Sequence, residues 1–141
     1  MDVLTKRASL DHSIASTTVD GLSVLTSGTI PTDTSELLRG PQVRELLATL
    51  AQRFDLVIVD TPPVLAVADA AILATLTDGV VFVVRAGKTN RTVTQHALQQ
   101  LANVGARVIG AVLNDPSGEA ARDVYPVGKY EYSPETTAGS R

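Results

Sequence analysis

The chain has no cysteine and no tryptophan, and its 141 residues include only two histidines, two phenylalanines and one methionine. Without cysteine there are no disulfides, no thiolate metal ligands and no thiol nucleophile, which fits a reducing compartment. His12 and His96 stand alone, with no neighbour at metal-ligand spacing. An excess of positive charge is missing too. Twelve Lys and Arg face fifteen Asp and Glu for a net charge of −3, with no long basic run, which argues against nucleic acid as a partner. No apolar run approaches the roughly 20 residues of a membrane span, since Asp69 and Asp78 interrupt the longest candidates. The opening MDVLTKRASLDHSI lacks the apolar core of a signal peptide, so a cytoplasmic domain is expected.

What is present is ordinary for a globular protein, with 44% hydrophobic and 19% charged residues, enough for one domain and one core. Residues 1–20 are polar, with a weak helical pattern from Leu10 to Ala15, and LSVLTSG (22–28) reads as a strand ending in a glycine turn. Asp33 and Glu36 have capping-box spacing. Val43, Leu46, Leu47, Leu50 and Ala51 mark one face of an amphipathic helix, with Pro41 in its first turn. In FDLVIVDTPP (54–63), Leu56 to Val59 form an unbroken apolar run, as expected of a strand buried on both faces, and Pro62 and Pro63 stop it. A helix over 68–76 follows, with Asp69 as its N-cap, then a second apolar strand, GVVFVV (79–84). Residues 91–104 read as a helix turning Val93, Ala97, Leu101 and Val104 inward and closed by Gly105, and RVIGAVL (107–113) as a third strand. Strands alternating with helices over short connections predict an α/β fold with a parallel sheet flanked by helices. Residues 1–115 form the domain, and the Pro-, Gly- and Ser-rich residues 116–141 read as a flexible tail.

One segment, RAGKT (85–89), looks at first like a nucleotide-binding loop. A Walker A loop is G-x-x-x-x-G-K-[ST], and its leading glycine opens a loop whose N–H groups wrap phosphate. Five residues before Gly87 lies Phe82, in the middle of a strand. Gly87-Lys88-Thr89 therefore reads as a strand-to-helix connection, with Thr89 or Asn90 as N-cap, and Lys88 as no phosphate ligand. No other glycine precedes Lys-Ser or Lys-Thr.

Asp60 follows four apolar residues, the Walker B pattern, in which a carboxylate at the carboxyl end of a buried strand holds the Mg²⁺ of a bound nucleotide. Alone, that pattern is weak, because many strands end in Asp for turn or capping reasons. FDLVIVDTPPVLAVADA, DGVVFVVRAGKT and VGARVIGAVLND, together with GLSVLTSGTIPTDTSELLRGPQVRELL upstream, closely resemble the bacterial tyrosine kinases of capsule and exopolysaccharide synthesis (the CpsD/CapB type). These kinases belong to the MinD/ParA-like group of P-loop ATPases. The resemblance runs from about Asp2 to Asp115 and implies a partial P-loop NTPase-like sheet lacking the P-loop strand. It implies Asp60 as the Walker B carboxylate near Mg²⁺, bound through water, and Asn114 as the residue that reads adenine. Mg²⁺ and ATP are the family's cofactors. Its partners are a membrane polysaccharide co-polymerase that activates the kinase and further copies of the kinase, at the inner face of the cell membrane.

Family members also carry a C-terminal tyrosine cluster phosphorylated by a neighbouring subunit. All three tyrosines here, Tyr125, Tyr130 and Tyr132, fall in the last 17 residues, which the resemblance makes phosphoacceptors. Phosphorylating all three would add roughly −4.5 to −6 charge units to a chain of net −3. The family's Walker A and A′ segments have no counterpart in these 141 residues. Intrinsic kinase activity is therefore expected to be negligible, and Leu56 to Val59 are expected to lack a neighbouring strand. Two other readings stay open: a MinD/ParA-like partitioning protein, which the tail's lack of a basic or apolar face opposes, and a truncated gene product without selected function.

Overall fold

A computed structural model describes residues 1–29 and 34–115. The capping-box residue Asp33, the tail 116–141 and its three tyrosines lie outside the described residues. The N-terminal part is more varied than its composition suggests. A single turn of helix, α1 (Leu10–Ser13), begins where the Ser9 hydroxyl accepts from the His12 N–H. It gives way at once to strand β1 (Ile14–Ser16), where the sequence had suggested continued helix. Strand β2 (Ser23–Leu25) pairs with β1 antiparallel, Ile14 opposite Leu25. The β-branched Ile14 favours extended backbone. The turn is held by Thr17, whose N–H donates to the Leu22 carbonyl and whose hydroxyl accepts from the Val19 N–H.

Helix α2 (Thr34–Arg39) is followed, across Gly40, by α3 (Pro41–Arg53). Pro41 sits in the first turn of α3, where its missing N–H costs nothing and its fixed φ favours the helix. Val43 and Leu50 are buried on the expected face. Helix α4 (Asp69–Ala74) is shorter than expected, and its N-cap is Ala68, which has no side-chain cap bond. Asp69 is instead the first helical residue. Its carboxylate accepts from the Thr34 hydroxyl at 3.2 Å and the Ser35 hydroxyl at 2.7 Å, tying the start of α2 to the start of α4. The core forms where these helices meet. Leu38, Val43 and Leu73 are buried there, and Leu4, Leu47, Val59, Ile72 and Leu76 pack around them.

Strand β3 (Val80–Arg85), helix α5 (Arg91–Asn103) and strand β4 (Val108–Asn114) make a β-α-β unit, with β3 and β4 parallel and Arg85 opposite Asn114. Asn90, not Thr89, caps α5: its side-chain oxygen accepts from the Val93 N–H at 2.8 Å. Gly105 closes the helix with φ +73°. Gly79 packs closely against Ile109: a Cβ there would lie 2.6 Å from its Cγ2, so the Ile109 side chain would have to shift. Ala97 and Leu101 are buried on α5 as expected, whereas Val93 and Val104 are about two-fifths exposed.

The strands depart further from expectation. Phe54 to Asp60 is not a strand of any sheet; it has no ladder partner among the described residues, and Leu56 and Ile58 are 75% and 82% exposed. Strand β3 is exposed at every second residue, and β4 is exposed along its whole length. The strand buried on both faces that the apolar run of Leu56 to Val59 led one to expect is therefore not formed. The described residues supply neither a strand to pair with Leu56–Val59 nor a second neighbour for β3. The parallel sheet of β3 and β4 is two-stranded among the described residues, so much of its apolar surface faces solvent.

Candidate functional site

Ligands in parallel α/β sheets bind at the carboxyl ends of the strands, so the site is sought beyond Arg85, Asn114 and Asp60. Beyond β3 the chain turns tightly. The N–H groups of Lys88 and Thr89 both donate to the Arg85 carbonyl, at 3.3 and 2.9 Å, and the Thr89 hydroxyl accepts from the Arg85 N–H at 3.2 Å. Ala86 donates to the Asn114 carbonyl at 3.0 Å. Gly87, at φ +65°, permits the turn, and no atom would meet a Cβ placed there. The N–H groups of residues 86, 88 and 89 are thus spent within the chain. This is the geometry of a connection, as the spacing of the glycines predicted, and Lys88 is an exposed side chain beside it.

Asn114 is the last residue of β4 rather than the first beyond it. Its side-chain oxygen accepts from the Asp115 N–H at 2.9 Å, and the residue is exposed, so its NH2 group remains available as a donor. Asp115 adopts φ +54°, a left-handed conformation that a short polar side chain tolerates. Its Oδ2 accepts from Arg85 Nε at 3.2 Å and Nη2 at 3.1 Å. That link joins the ends of β3 and β4 across the site. The Asp115 side chain is only 12% exposed, and its Oδ1 is buried with no hydrogen-bond partner among the described residues. This pair was not anticipated. Thirty residues separate its members, and no local spacing announces a contact at that range.

Asp60 lies apart from this cluster in hydrogen bonding. It is exposed at the end of the extended segment and has no hydrogen-bond or ion-pair partner among the described residues. Val59 before it is anchored on the helical core, while the Pro63 carbonyl beyond it accepts from Ala66 at 2.9 Å. The segment thus carries Asp60 on an anchored but unpaired backbone, not on the buried strand expected. Among the described residues no group of three or more acidic or histidine side chains could enclose a metal ion. A single exposed carboxylate fits Mg²⁺ held mostly by water and phosphate oxygens, and does not fit a site built from protein alone.

No family model matches the chain. Individual proteins do. It is 40% identical over 112 residues to the tyrosine-protein kinase YwqD of Bacillus subtilis, covering 79% of this chain and 47% of that protein. The chain is related to the bacterial tyrosine kinases. The tyrosine-protein kinase CpsD of Streptococcus pneumoniae is 34% identical over 113 residues, covering 80% of this chain and 50% of the relative. Among solved structures, the kinase domain of VpsO superposes with a TM-score of 0.76 at 34% identity, over 80% of this chain and 56% of that domain. The fold is therefore that of part of a tyrosine kinase domain, an α/β P-loop NTPase architecture with a parallel sheet. The chain spans about half the length of these curated relatives.

Proposed function

We infer that this chain provides part of a protein tyrosine kinase module of capsule or exopolysaccharide synthesis. In this reading Asp60 is the Walker B carboxylate and Asn114 offers its NH2 group to adenine, with the Arg85–Asp115 link holding the ends of β3 and β4 in place. The 141-residue polypeptide by itself is catalytically silent. The observation that carries this is the RAGKT connection, whose Lys88 and Thr89 N–H groups close on the Arg85 carbonyl instead of pointing outward as a phosphate cradle. Phosphoryl transfer depends mainly on positioning and charge stabilisation around the phosphates. One exposed carboxylate and one amide do not replace a cradle and its lysine.

The role left to the polypeptide is that of phosphoacceptor, through Tyr125, Tyr130 and Tyr132, for a complete kinase of the same type. Its partners in this reading are such a kinase and the membrane co-polymerase that activates it. No helix among the described residues is long and apolar enough to cross a membrane. Incubation with an intact related kinase and Mg-ATP, followed by mass spectrometry of the tail, is the test. Phosphate on at least one of the three tyrosines is expected, and its loss in the Tyr→Phe triple variant. An unmodified tail would end the acceptor role.

A further inference from the structure

Away from the strand ends, a groove of about 370 Å³ lies where α2, α3 and α4 meet the C-terminus of α5. Its walls are apolar, formed by Leu38, Ala71, Leu76 and Val104, and Arg39 and Arg44 complete its lining. Both arginines are exposed, and neither has an ion-pair partner among the described residues. An apolar trough with two unpaired guanidiniums suits a segment that combines apolar rings with carboxylates. The chain contains one such segment. Tyr130-Glu131-Tyr132-Ser133-Pro134-Glu135 packs two rings and two acids into six residues with no base among them. Fourteen residues separate Asp115 from Tyr130, a reach of up to about 50 Å when extended. A domain of this size has a radius of gyration of only about 13 Å, so every face of it lies within that reach.

We propose that residues 130–135 of the tail dock in the groove of their own chain, with the tyrosine rings on the apolar walls and Glu131 and Glu135 paired with Arg39 and Arg44. Docking would hold Tyr130 and Tyr132 against the domain and withdraw them from solution. It stands apart from the kinase reading, because it requires neither nucleotide nor phosphorylation.

The absence of cysteine makes the test clean. In the full chain, Ser133→Cys provides a single site for a nitroxide label, and paramagnetic broadening of backbone amides reports what the tail approaches. The expected result is a several-fold rise in relaxation confined to Leu38, Ala71, Ile72 and Leu76. It should vanish in Glu131→Lys/Glu135→Lys, which changes only the tail, and return when Arg39→Glu/Arg44→Glu is added. Broadening spread evenly over the domain, or indifferent to these charge reversals, would overturn the proposal. So would broadening that appears when labelled, isotopically silent chain is mixed with unlabelled ¹⁵N chain, because the occupant would then be a second copy.

Discussion

Asn90 shows how much one side chain can contribute here. By accepting from the Val93 N–H it satisfies one of the free donors at the start of α5, the helix that joins the two parallel strands. Asn90→Ala should destabilise the fold by about 1 kcal/mol in urea unfolding, whereas Thr94→Ala, one turn inside the helix, should cost less. Asp11 offers a second residue-scale test. Its hydrogen bond and ion pair with Arg53 lower its pKa from the usual carboxylate value. A lowered folded-state pKa contributes stability that is present above the unfolded value and lost as pH falls through the folded one. The pair lies at the surface in contact with solvent, so the effect on unfolding should be slight. The direct readout is an NMR titration, in which Arg53→Ala should return Asp11 upward to the ordinary range. A titration curve unchanged by the substitution would show that the pair does not persist in solution.

At the scale of elements, what the sequence made legible depended on whether an element is held by its own residues. Helices α3 and α5 carry their apolar stripe, proline or cap within themselves, and both form where periodicity places them. The order β3, α5, β4 and its parallel pairing were legible for the same reason. Strand β1 was missed because three residues after a helical turn give no period to count, and its pairing with β2 is a tertiary event. Leu56 to Val59 failed in the opposite way. The apolar run was read as a strand buried on both faces, and it is neither, because pairing and cover come from neighbours that a local pattern cannot report. At the site, Asn114 was expected just past the last strand and is its final residue, Asp60 was expected at the end of a buried strand that does not form, and the Arg85–Asp115 link was not legible at all.

That contrast yields a prediction about elements. Leu73 is buried in the helical core, and Leu73→Ala should cost about 2–4 kcal/mol. Leu56→Ser and Ile58→Ser, at positions 75% and 82% exposed, should each shift stability by less than about 0.5 kcal/mol. The same two changes should reduce self-association in sedimentation velocity, since an exposed, unpaired apolar segment offers backbone and side chains for another chain to pair with. A large loss of stability from Ile58→Ser would mean that this segment is covered in solution.

Two facts meet at the scale of the whole molecule. The chain shares 34–40% identity with the bacterial tyrosine kinases YwqD and CpsD and superposes on a solved kinase domain. Yet the one segment of its sequence that resembles a phosphate-binding loop is a closed turn, with the Lys88 and Thr89 N–H groups bonded to Arg85. In the proposed reading Asp60 and Asn114 would face a nucleotide, but one carboxylate and one amide offer little to hold a polyphosphate. The most direct measurement is a Mg-ADP titration of the 141-residue chain by calorimetry. The account predicts no saturable heat into the millimolar range. Saturable binding at micromolar concentration would contradict it, and would mean that the RAGKT turn opens or that phosphate is gripped elsewhere on the chain.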